Sequence, residues 1–160
     1  HLHSPSHSQR LMRLTHLTHK EIHMTQSLSE TIKAANQVLI VDGQLAAVGD
    51  YFASDYLVNL TDHEMTGGHK IVKDSIKMLR HSFPDVRLEL EVFLESDTRI
   101  AWQRTLRGTH RAAYRGFPAT GQQLVWRDMV VTQFRDGLIA QEWLVTDLAE
   151  QLLRTSTHKK

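Results

Sequence analysis

Helical spacing of apolar residues dominates the first half of the chain. Ser27 and Glu30 form an S-x-x-E capping box, and the apolar residues that follow it recur at helical spacing. This pattern predicts a first amphipathic helix. Residues 44–52 and 69–81 repeat the spacing and predict a short second helix and a longer third one, with a brief extended segment over residues 56–60 between them.

Beyond Pro84 the apolar period changes from about 3.6 to about 2, which is the period of a strand with one buried face. The alternation predicts four strands, at residues 86–94, 100–110, 124–134 and 138–145. Asp136-Gly137 predicts a tight turn between the last two strands, and Asp147 is the predicted N-cap of a terminal helix that ends at Leu153.

This order of elements predicts a single α+β domain. Three helices followed by a meander are expected to pack as helices on the concave face of a curved antiparallel or mixed sheet. Such an arrangement leaves a cone-shaped interior between the helices and the sheet. Cones of this kind can bind small molecules, so the sequence predicts an internal pocket.

Strand parity, the alternation of side chains between the two faces of a strand, places polar residues on the same faces as apolar ones. Arg104 and His110 share one face of the second strand, and Asp128 shares a face with Trp126 and Val130 on the third. An apolar surrounding raises the pKa of a carboxyl group unless a cation offsets it, and histidine titrates near neutral pH. A base, a cation and an imidazole suit enolisation or dehydration beside a carbonyl group. The alternative is an ion pair on an exposed or dimer face, with a structural histidine.

Composition narrows the function classes. The chain has 160 residues, 19 Lys and Arg against 18 Asp and Glu, and no cysteine. The balanced charge argues against a nucleic-acid or anionic-membrane partner, and the lack of cysteine excludes disulfide scaffolds and thiolate metal sites. No apolar run reaches the roughly 20 residues that span a bilayer, and no secretory signal is visible, so a cytoplasmic location is expected. No cofactor is predicted, because phosphate-loop and zinc-protease motifs are missing.

Histidine is concentrated at the start of the chain. Six of the eleven histidines precede Met24. His16, His19 and His23 have spacing that could hold a metal, although a leader or tag is the favoured interpretation. We therefore predict a leader over residues 1–23, a domain over residues 24–153 and a polar tail over residues 154–160.

The loop around Gly67 offers a second group of possible metal ligands. His63, Glu64 and His69 lie close together in the sequence. A solvated loop at the rim of the pocket is the favoured interpretation, and no metal site is predicted.

Five motifs stand out in the second half of the chain: Phe83-Pro84-Asp85, Gly108-Thr109-His110, residues 116–121 (GFPATG), residues 134–139 (FRDGLI), and Glu142-Trp143 followed by Asp147. Their order and spacing resemble the SnoaL-like polyketide cyclase, or ester cyclase, family of the nuclear-transport-factor-2-like superfamily. The resemblance spans residues 28–153. It implies an α+β cone with a hydrophobic pocket, and often a homodimer formed through the outer face of the sheet.

The resemblance also implies catalytic positions from which this chain departs. Leu144 stands where the family's cyclases have an acid/base carboxylate, Ile40 where they have a tyrosine, and Ser75 where they have an asparagine. Asn59 stands where relatives often have histidine or asparagine. Strand parity, described above, gives the predicted catalytic residues Asp128, His110 and Arg104. The predicted ligand-binding residues are Asn59, Ile40, Ser75, Trp126, Trp143 and Leu144.

Two functional hypotheses follow. In the first, the protein is an acid–base isomerase, cyclase or dehydratase that acts on a small hydrophobic or carbonyl-containing ligand. Asp128 is its general base, His110 its acid or hydrogen-bond donor, and Arg104 steadies developing negative charge. In the second, the protein binds an apolar ligand without catalysis, in a cone lined by Ile40, Leu144 and tryptophans. Trp102, Trp126 and Trp143 could alternatively serve only in core or dimer packing.

Overall fold

The computed structural model of the protein describes residues 26–157, in which four helices pack on one six-stranded sheet. The helices are α1 (Leu28–Ala35), which continues into a π-helical turn (Asn36–Val41), α2 (Val48–Tyr51), which follows a 3₁₀ turn (Leu45–Ala47), α3 (His69–Ser82) and α4 (Leu148–Thr157). The strands are β1 (Phe52–Asn59), β2 (Glu64–Thr66), β3 (Arg87–Glu95), β4 (Arg99–Thr109), β5 (Gln123–Arg135) and β6 (Leu138–Thr146).

The sheet is mixed, with the strand order β2-β1-β6-β5-β4-β3. Strands β3 to β6 form the predicted antiparallel meander, whereas β1 runs parallel to β6 and carries β2 on its free edge. The sheet is curved and does not close on itself. The predicted α+β class with a cone-shaped sheet is therefore confirmed.

The core lies between the helices and one face of the sheet, which we call the inner face. Alternation along the sequence predicted correctly which side chains of β4 and β5 lie on this face. Buried residues alternate with more accessible ones along both strands. Its fully buried side chains include Ile32 and Leu39 from the first helical segment and Leu106, Leu124 and Trp126 from the strands.

Two bulges change the parity that simple alternation predicts. In β3 the register shifts between Val92 and Leu94. Simple alternation from Val86 puts Leu94 on the buried face, but its side chain is 74% exposed. In β6 the register shifts beside Ala140, so that Ile139 and Ala140 are both buried. A bulge inserts one extra residue and turns every later side chain to the other face.

The predicted boundaries change in three places. The second helix ends before Phe52, which is instead the first residue of β1. The short strand β2 was not predicted. The last helix continues to Thr157, and the hydroxyl groups of Thr155 and Ser156 donate hydrogen bonds to backbone carbonyls three or four residues earlier. The predicted leader over residues 1–23 lies outside the described residues.

Two of the sequence motifs, residues 83–85 and residues 108–110, contact each other at one end of the sheet. The Asp85 carboxylate accepts hydrogen bonds from the backbone N–H (2.8 Å) and the hydroxyl group (2.7 Å) of Thr109. These bonds lower the pKa of Asp85. Phe83 is fully buried and packs directly on Gly108. These motifs therefore hold α3 against β4.

Candidate functional site: an apolar cavity between the sheet and the helices

A cavity of about 260 Å³ lies between the inner face of the sheet and the helices. Its wall is mainly apolar, with contributions from α1, α3 and α4 and from strands β1, β4, β5 and β6. The charged or titratable residues among those that line it are Tyr56, Arg104, Tyr114, Arg115, Asp128 and Glu142.

An ion pair forms the first polar group in this wall. Arg104 and Asp128 are direct partners across β4 and β5, and Arg104 Nε donates to Asp128 Oδ2 over 2.8 Å. Both side chains are largely buried, at 16% and 9% exposure. Arg104 Nη1 also donates to Asn36 Oδ1 over 2.8 Å, and the guanidinium lies over the Trp102 ring. Contacts from β5, from the π-helical turn and from β4 therefore hold the Arg104 guanidinium in place.

The π-helical turn supplies Asn36 to this group. Asn36 is buried, and its amide Nδ2 donates to the carbonyl of Ile32 over 2.8 Å. That bond leaves the amide oxygen directed at Arg104. At the other end of the turn, Arg80 Nη1 donates to the carbonyls of Ile40 and Val41 over 2.7 Å each, which satisfies carbonyls at the helix end.

A buried carboxyl group forms the second polar group. Glu142 Oε1 accepts from the Tyr56 hydroxyl over 2.8 Å, and Oε2 accepts from Thr132 Oγ1 over 2.5 Å. The Trp102 indole N–H donates to the same Thr132 oxygen over 2.9 Å. Trp102 thus contacts both polar groups, since its ring also lies under Arg104.

Burial changes the acidity of these groups. Burial raises the pKa of Glu142, against the opposing effects of its hydrogen bonds to Thr132 and Tyr56 and of the Arg104 charge. Burial also raises the pKa of Tyr56 well above its ordinary value, with a further rise from Glu142. Tyr56 is therefore a hydrogen-bond donor at neutral pH and cannot be a phenolate base.

A tight turn forms part of the cavity mouth. Tyr114 and Phe117 exchange backbone hydrogen bonds of 3.0 and 2.9 Å, and both side chains line the cavity. The two residues between them, Arg115 and Gly116, have positive φ values of 46° and 84°. Arg115 is exposed and also lines the cavity, so a cation lies where the cavity meets solvent.

The structure brings most of the sequence-predicted site residues to this cavity. Arg104 and Asp128 meet across the strands on the inner face, whereas the alternative interpretation placed such an ion pair on an exposed or dimer face. Four of the predicted ligand-binding residues line the same cavity: Ile40, Ser75, Trp126 and Leu144.

Three predicted site residues lie elsewhere. His110 is fully buried beside Phe83, with a ring-centroid separation of 5.3 Å, and does not line the cavity. Asn59 donates to the backbone carbonyl of Glu142 over 3.2 Å. Trp143 is on the outer face of the sheet, where the Arg99 guanidinium lies 5.1 Å from its ring centroid. Trp143 and Leu144 could not both be inside, because successive side chains of a strand point to opposite faces, and the bulge at Ala140 makes Leu144 the inner one.

Sequence reasoning missed the second polar group. The sequence predicts Glu142 only as part of a motif, because the face of β6 cannot be assigned without the bulge. It predicts Tyr56 only as the first residue of an extended segment. Two features of the sequence could have indicated this group. One is an acidic residue among the apolar residues of the last predicted strand, and the other is a tyrosine in the predicted extended segment.

The structure also bears on the alternative metal and membrane interpretations. Within residues 26–157, no group of three or more His, Asp or Glu side chains is arranged to hold a metal ion. His69 instead bonds to the carbonyl of Phe52 over 2.8 Å, and His63 pairs with Asp62. The helices of this part of the chain are all too short or too polar to cross a bilayer.

Solved structures share this fold over most of the chain. A protein from Acidithiobacillus ferrooxidans named as a polyketide cyclase has a TM-score of 0.72 at 20% identity, and the match covers 83% of this chain and 96% of that one. A SnoaL-like polyketide cyclase from Agrobacterium tumefaciens has a TM-score of 0.68 at 20% identity, with coverages of 82% and 99%. TsrD from Streptomyces laurentii has a TM-score of 0.68 at 19% identity, with coverages of 78% and 93%. These likenesses establish the fold.

Sequence comparison with curated proteins finds no match for this chain. The family model described as SnoaL-like polyketide cyclase matches residues 30–154, which include every strand and nearly all of the helical core. With this match across most of its length and the shared cone fold, the chain belongs to the SnoaL-like polyketide cyclase family.

Proposed function

We propose that the cavity binds a small, mainly apolar molecule with a carbonyl group, and that the protein carries out acid–base isomerisation, cyclisation or dehydration on it. The observation that carries the proposal is the Arg104–Asp128 ion pair in the wall of an apolar cavity. Asp128 is the proposed base. Arg104 is the proposed stabiliser of negative charge on the carbonyl oxygen.

The size of the cavity narrows the ligand class. Pockets for drug-sized ligands usually have volumes of ~300–1,000 Å³. A volume of about 260 Å³ lies just below that range and favours a molecule of one or two rings. Apolar residues such as Ile40 and Leu144 suit the hydrocarbon part of such a ligand, and the two polar groups suit its oxygen atoms.

A thermal-shift screen with product analysis tests this proposal. Purified protein is screened against hydrophobic carbonyl compounds, aromatic polyketides, steroids and terpene epoxides, because a ligand that binds the folded state raises the thermal midpoint. We expect a small carbonyl compound to stabilise the protein and to be converted. Asp128→Asn should retain binding and lose conversion, while Glu150→Gln, which removes an exposed ion-pair partner in α4, should change neither.

Non-catalytic binding is the second candidate function. The observation that favours it is that Leu144, Ile40 and Ser75 all line the cavity. The family resemblance implies an acid/base carboxylate, a tyrosine and an asparagine at these three positions. In that case the stabilising compound is recovered unchanged. A compound that is converted at equal rates by wild type and Asp128→Asn contradicts the proposed base.

We also propose that two copies of the chain associate through the outer face of the sheet. Met129 and Val145 are direct partners on β5 and β6 and are 53% and 56% exposed. Adjacent exposed apolar side chains favour a protein contact. Sedimentation should give the mass of a dimer for the wild type and of a monomer for Met129→Glu. A monomeric wild type contradicts the proposal.

A further inference from the structure

In the hydrogen bonds around Glu142, the chemistry of the partner side chains determines which atom donates the hydrogen and which accepts it. The Trp102 indole N–H can only donate, so the Thr132 oxygen accepts from it, and the Thr132 hydroxyl hydrogen is directed to Glu142 Oε2. Oε2 is thereby an acceptor. A proton on the carboxyl group therefore resides on Oε1, which faces the Tyr56 oxygen across 2.8 Å.

The direction of the Tyr56 hydroxyl depends on that proton. When Glu142 is ionised, Tyr56 donates its only hydrogen to Oε1. When Glu142 is protonated, Oε1 donates to the Tyr56 oxygen, and the Tyr56 hydrogen is available to a ligand in the cavity that both residues line. The same contact thus supports two arrangements.

The geometry points to a proton relay in which Glu142, through Tyr56, delivers a proton to the carbonyl oxygen of the ligand while Asp128 removes one from the adjacent carbon. This inference rests on the proposed function and deepens it. It names the substrate class as carbonyl compounds with an acidic C–H bond next to the carbonyl group. Tyr56 is the catalytic residue that touches the ligand, and Glu142 is a positioning residue and proton source that acts through it.

The step balances in atoms and electrons. The Asp128 carboxylate takes the proton of the α C–H bond, and the electron pair of that bond forms a carbon–carbon double bond. The carbonyl π electrons move to oxygen, which receives the Tyr56 proton, and Tyr56 recovers a proton from Glu142. The products are an enol, neutral Asp128 and ionised Glu142. Return of both protons, with carbon protonated at the same or a conjugated position, regenerates the protein.

The surroundings of Glu142 favour its role as the acid. The titratable and charged groups that act on it are Tyr56 from β1, Arg104 from β4 and Asp128 from β5. Arg104 favours the ionised form, but it is already bonded to Asp128 and Asn36. Burial and the Asp128 charge favour the protonated form, and burial has the largest effect on the raised pKa. Two carboxyl groups in one cavity thus differ in environment, as an acid–base pair requires.

Deuterium uptake by 2-tetralone tests the relay. This two-ring ketone has acidic α C–H bonds, and its exchange in D₂O is followed by proton NMR with wild type, Tyr56→Phe, Glu142→Gln and Asp128→Asn. Tyr56→Phe removes one oxygen atom and retains the ring that packs edge-on against Phe52. Glu89→Gln, at an exposed position of β3, is the matched control for loss of a carboxylate.

We expect wild type and Glu89→Gln to accelerate exchange equally, and Tyr56→Phe to lower kcat by about 10²-fold with little change in KM. The wild-type rate should fall as pH rises through the raised pKa of Glu142, since the ionised carboxylate withdraws the Tyr56 hydrogen. Glu142→Gln should lower the rate by about tenfold and abolish this alkaline decline. A merely structural Glu142 would not alter the shape of the pH profile.

The outcomes separate the relay from the proposed function. Exchange that is lost in Asp128→Asn but unchanged in Tyr56→Phe overturns the relay and leaves the Asp128 proposal intact. Exchange that Asp128→Asn does not affect overturns the proposed base. If wild type binds 2-tetralone without accelerating exchange, the relay is overturned and non-catalytic binding is favoured. If Glu142→Gln does not fold, Tyr56→Phe alone decides.

Discussion

At the scale of single residues, the protein buries two carboxyl groups that are stabilised in different ways. Asp128 has a guanidinium partner 2.8 Å away, whereas Glu142 has two hydroxyl donors. Removal of a buried carboxylate's charged partner is strongly destabilising, while hydroxyl donors do not neutralise the charge. The Asp128 carboxylate therefore has a charged partner, whereas Glu142, whose pKa is raised by burial, is suited to carry a proton.

The raised pKa of Glu142 predicts how stability depends on pH. A carboxyl group whose pKa is higher in the folded state than in the unfolded state stabilises the protein fully below the unfolded pKa, and the effect is lost as pH rises through the folded pKa. Glu142→Gln cannot titrate, so its stability relative to wild type should increase from about pH 5 to about pH 8. Urea unfolding at the two pH values measures the difference, and Glu89→Gln serves as the exposed control. A difference that stays constant with pH contradicts the prediction.

Gly108 lies where the neighbouring Phe83 leaves no room for a larger side chain. A Cβ atom at position 108 would lie 2.9 Å from Phe83 Cβ. Phe83 Cβ cannot rotate away, because it is bonded directly to the backbone. Gly108→Ala should therefore lower the free energy of unfolding by about 1–3 kcal/mol through overpacking. Arg107→Ala, at the exposed neighbouring position, should change it by less than about 0.5 kcal/mol. Equal midpoints for Gly108→Ala and wild type in chemical denaturation would show that the contact can relax.

At the scale of elements, two glycines with positive φ serve different purposes. Gly68 precedes α3, and a Cβ atom there would lie 2.0 Å from the backbone oxygen of Ser54. Gly116 lies in the turn at the cavity mouth, where a Cβ atom would meet nothing within 4 Å. Both alanine variants carry a backbone cost of about 1–3 kcal/mol, because a residue with a Cβ atom disfavours positive φ. Gly68→Ala should cost about 1–3 kcal/mol more, because the helix must move away from β1.

Thermal and urea unfolding of the two glycine variants measure this difference. The effect of Gly116→Ala isolates the backbone strain, and the excess for Gly68→Ala reports the close approach of α3 to β1. Equal destabilisation by the two substitutions would contradict the account of the Gly68 contact.

Periodicity predicted the elements well and the inner face only in part. The faces of β4 and β5 follow strict alternation, and this was sufficient to predict which face of each strand carries Arg104 and Asp128. The face of β6 could not be predicted, because a bulge depends on packing against β5 and leaves no clear sequence signal. This one bulge is the reason that the sequence alone does not place Glu142 on the inner face. The partnership of Tyr56 with Glu142 joins residues 86 positions apart and depends on the parallel pairing of β1 with β6.

At the scale of the whole molecule, the family resemblance and the residue chemistry answer different questions. The match over residues 30–154 and the shared cone fold explain the architecture, and the motifs around Phe83 and Gly108 hold that architecture together. Function depends on the side chains that line the cavity. Here a carboxyl group lies at Glu142, two residues before Leu144 on the same face of β6, and a hydroxyl group is supplied by Tyr56 of β1.

An NMR titration of the isotopically labelled protein with 2-tetralone tests whether the cavity is the functional site. The backbone amide signals are followed residue by residue. We expect the largest shifts on residues of the cavity wall, such as Asn36, Tyr56, Arg104 and Asp128. They should be much smaller for outer-face residues such as Met129 and Trp143. Saturable shifts confined to the outer face, or no shifts at any ligand concentration, would contradict the claim that this cavity is the functional site.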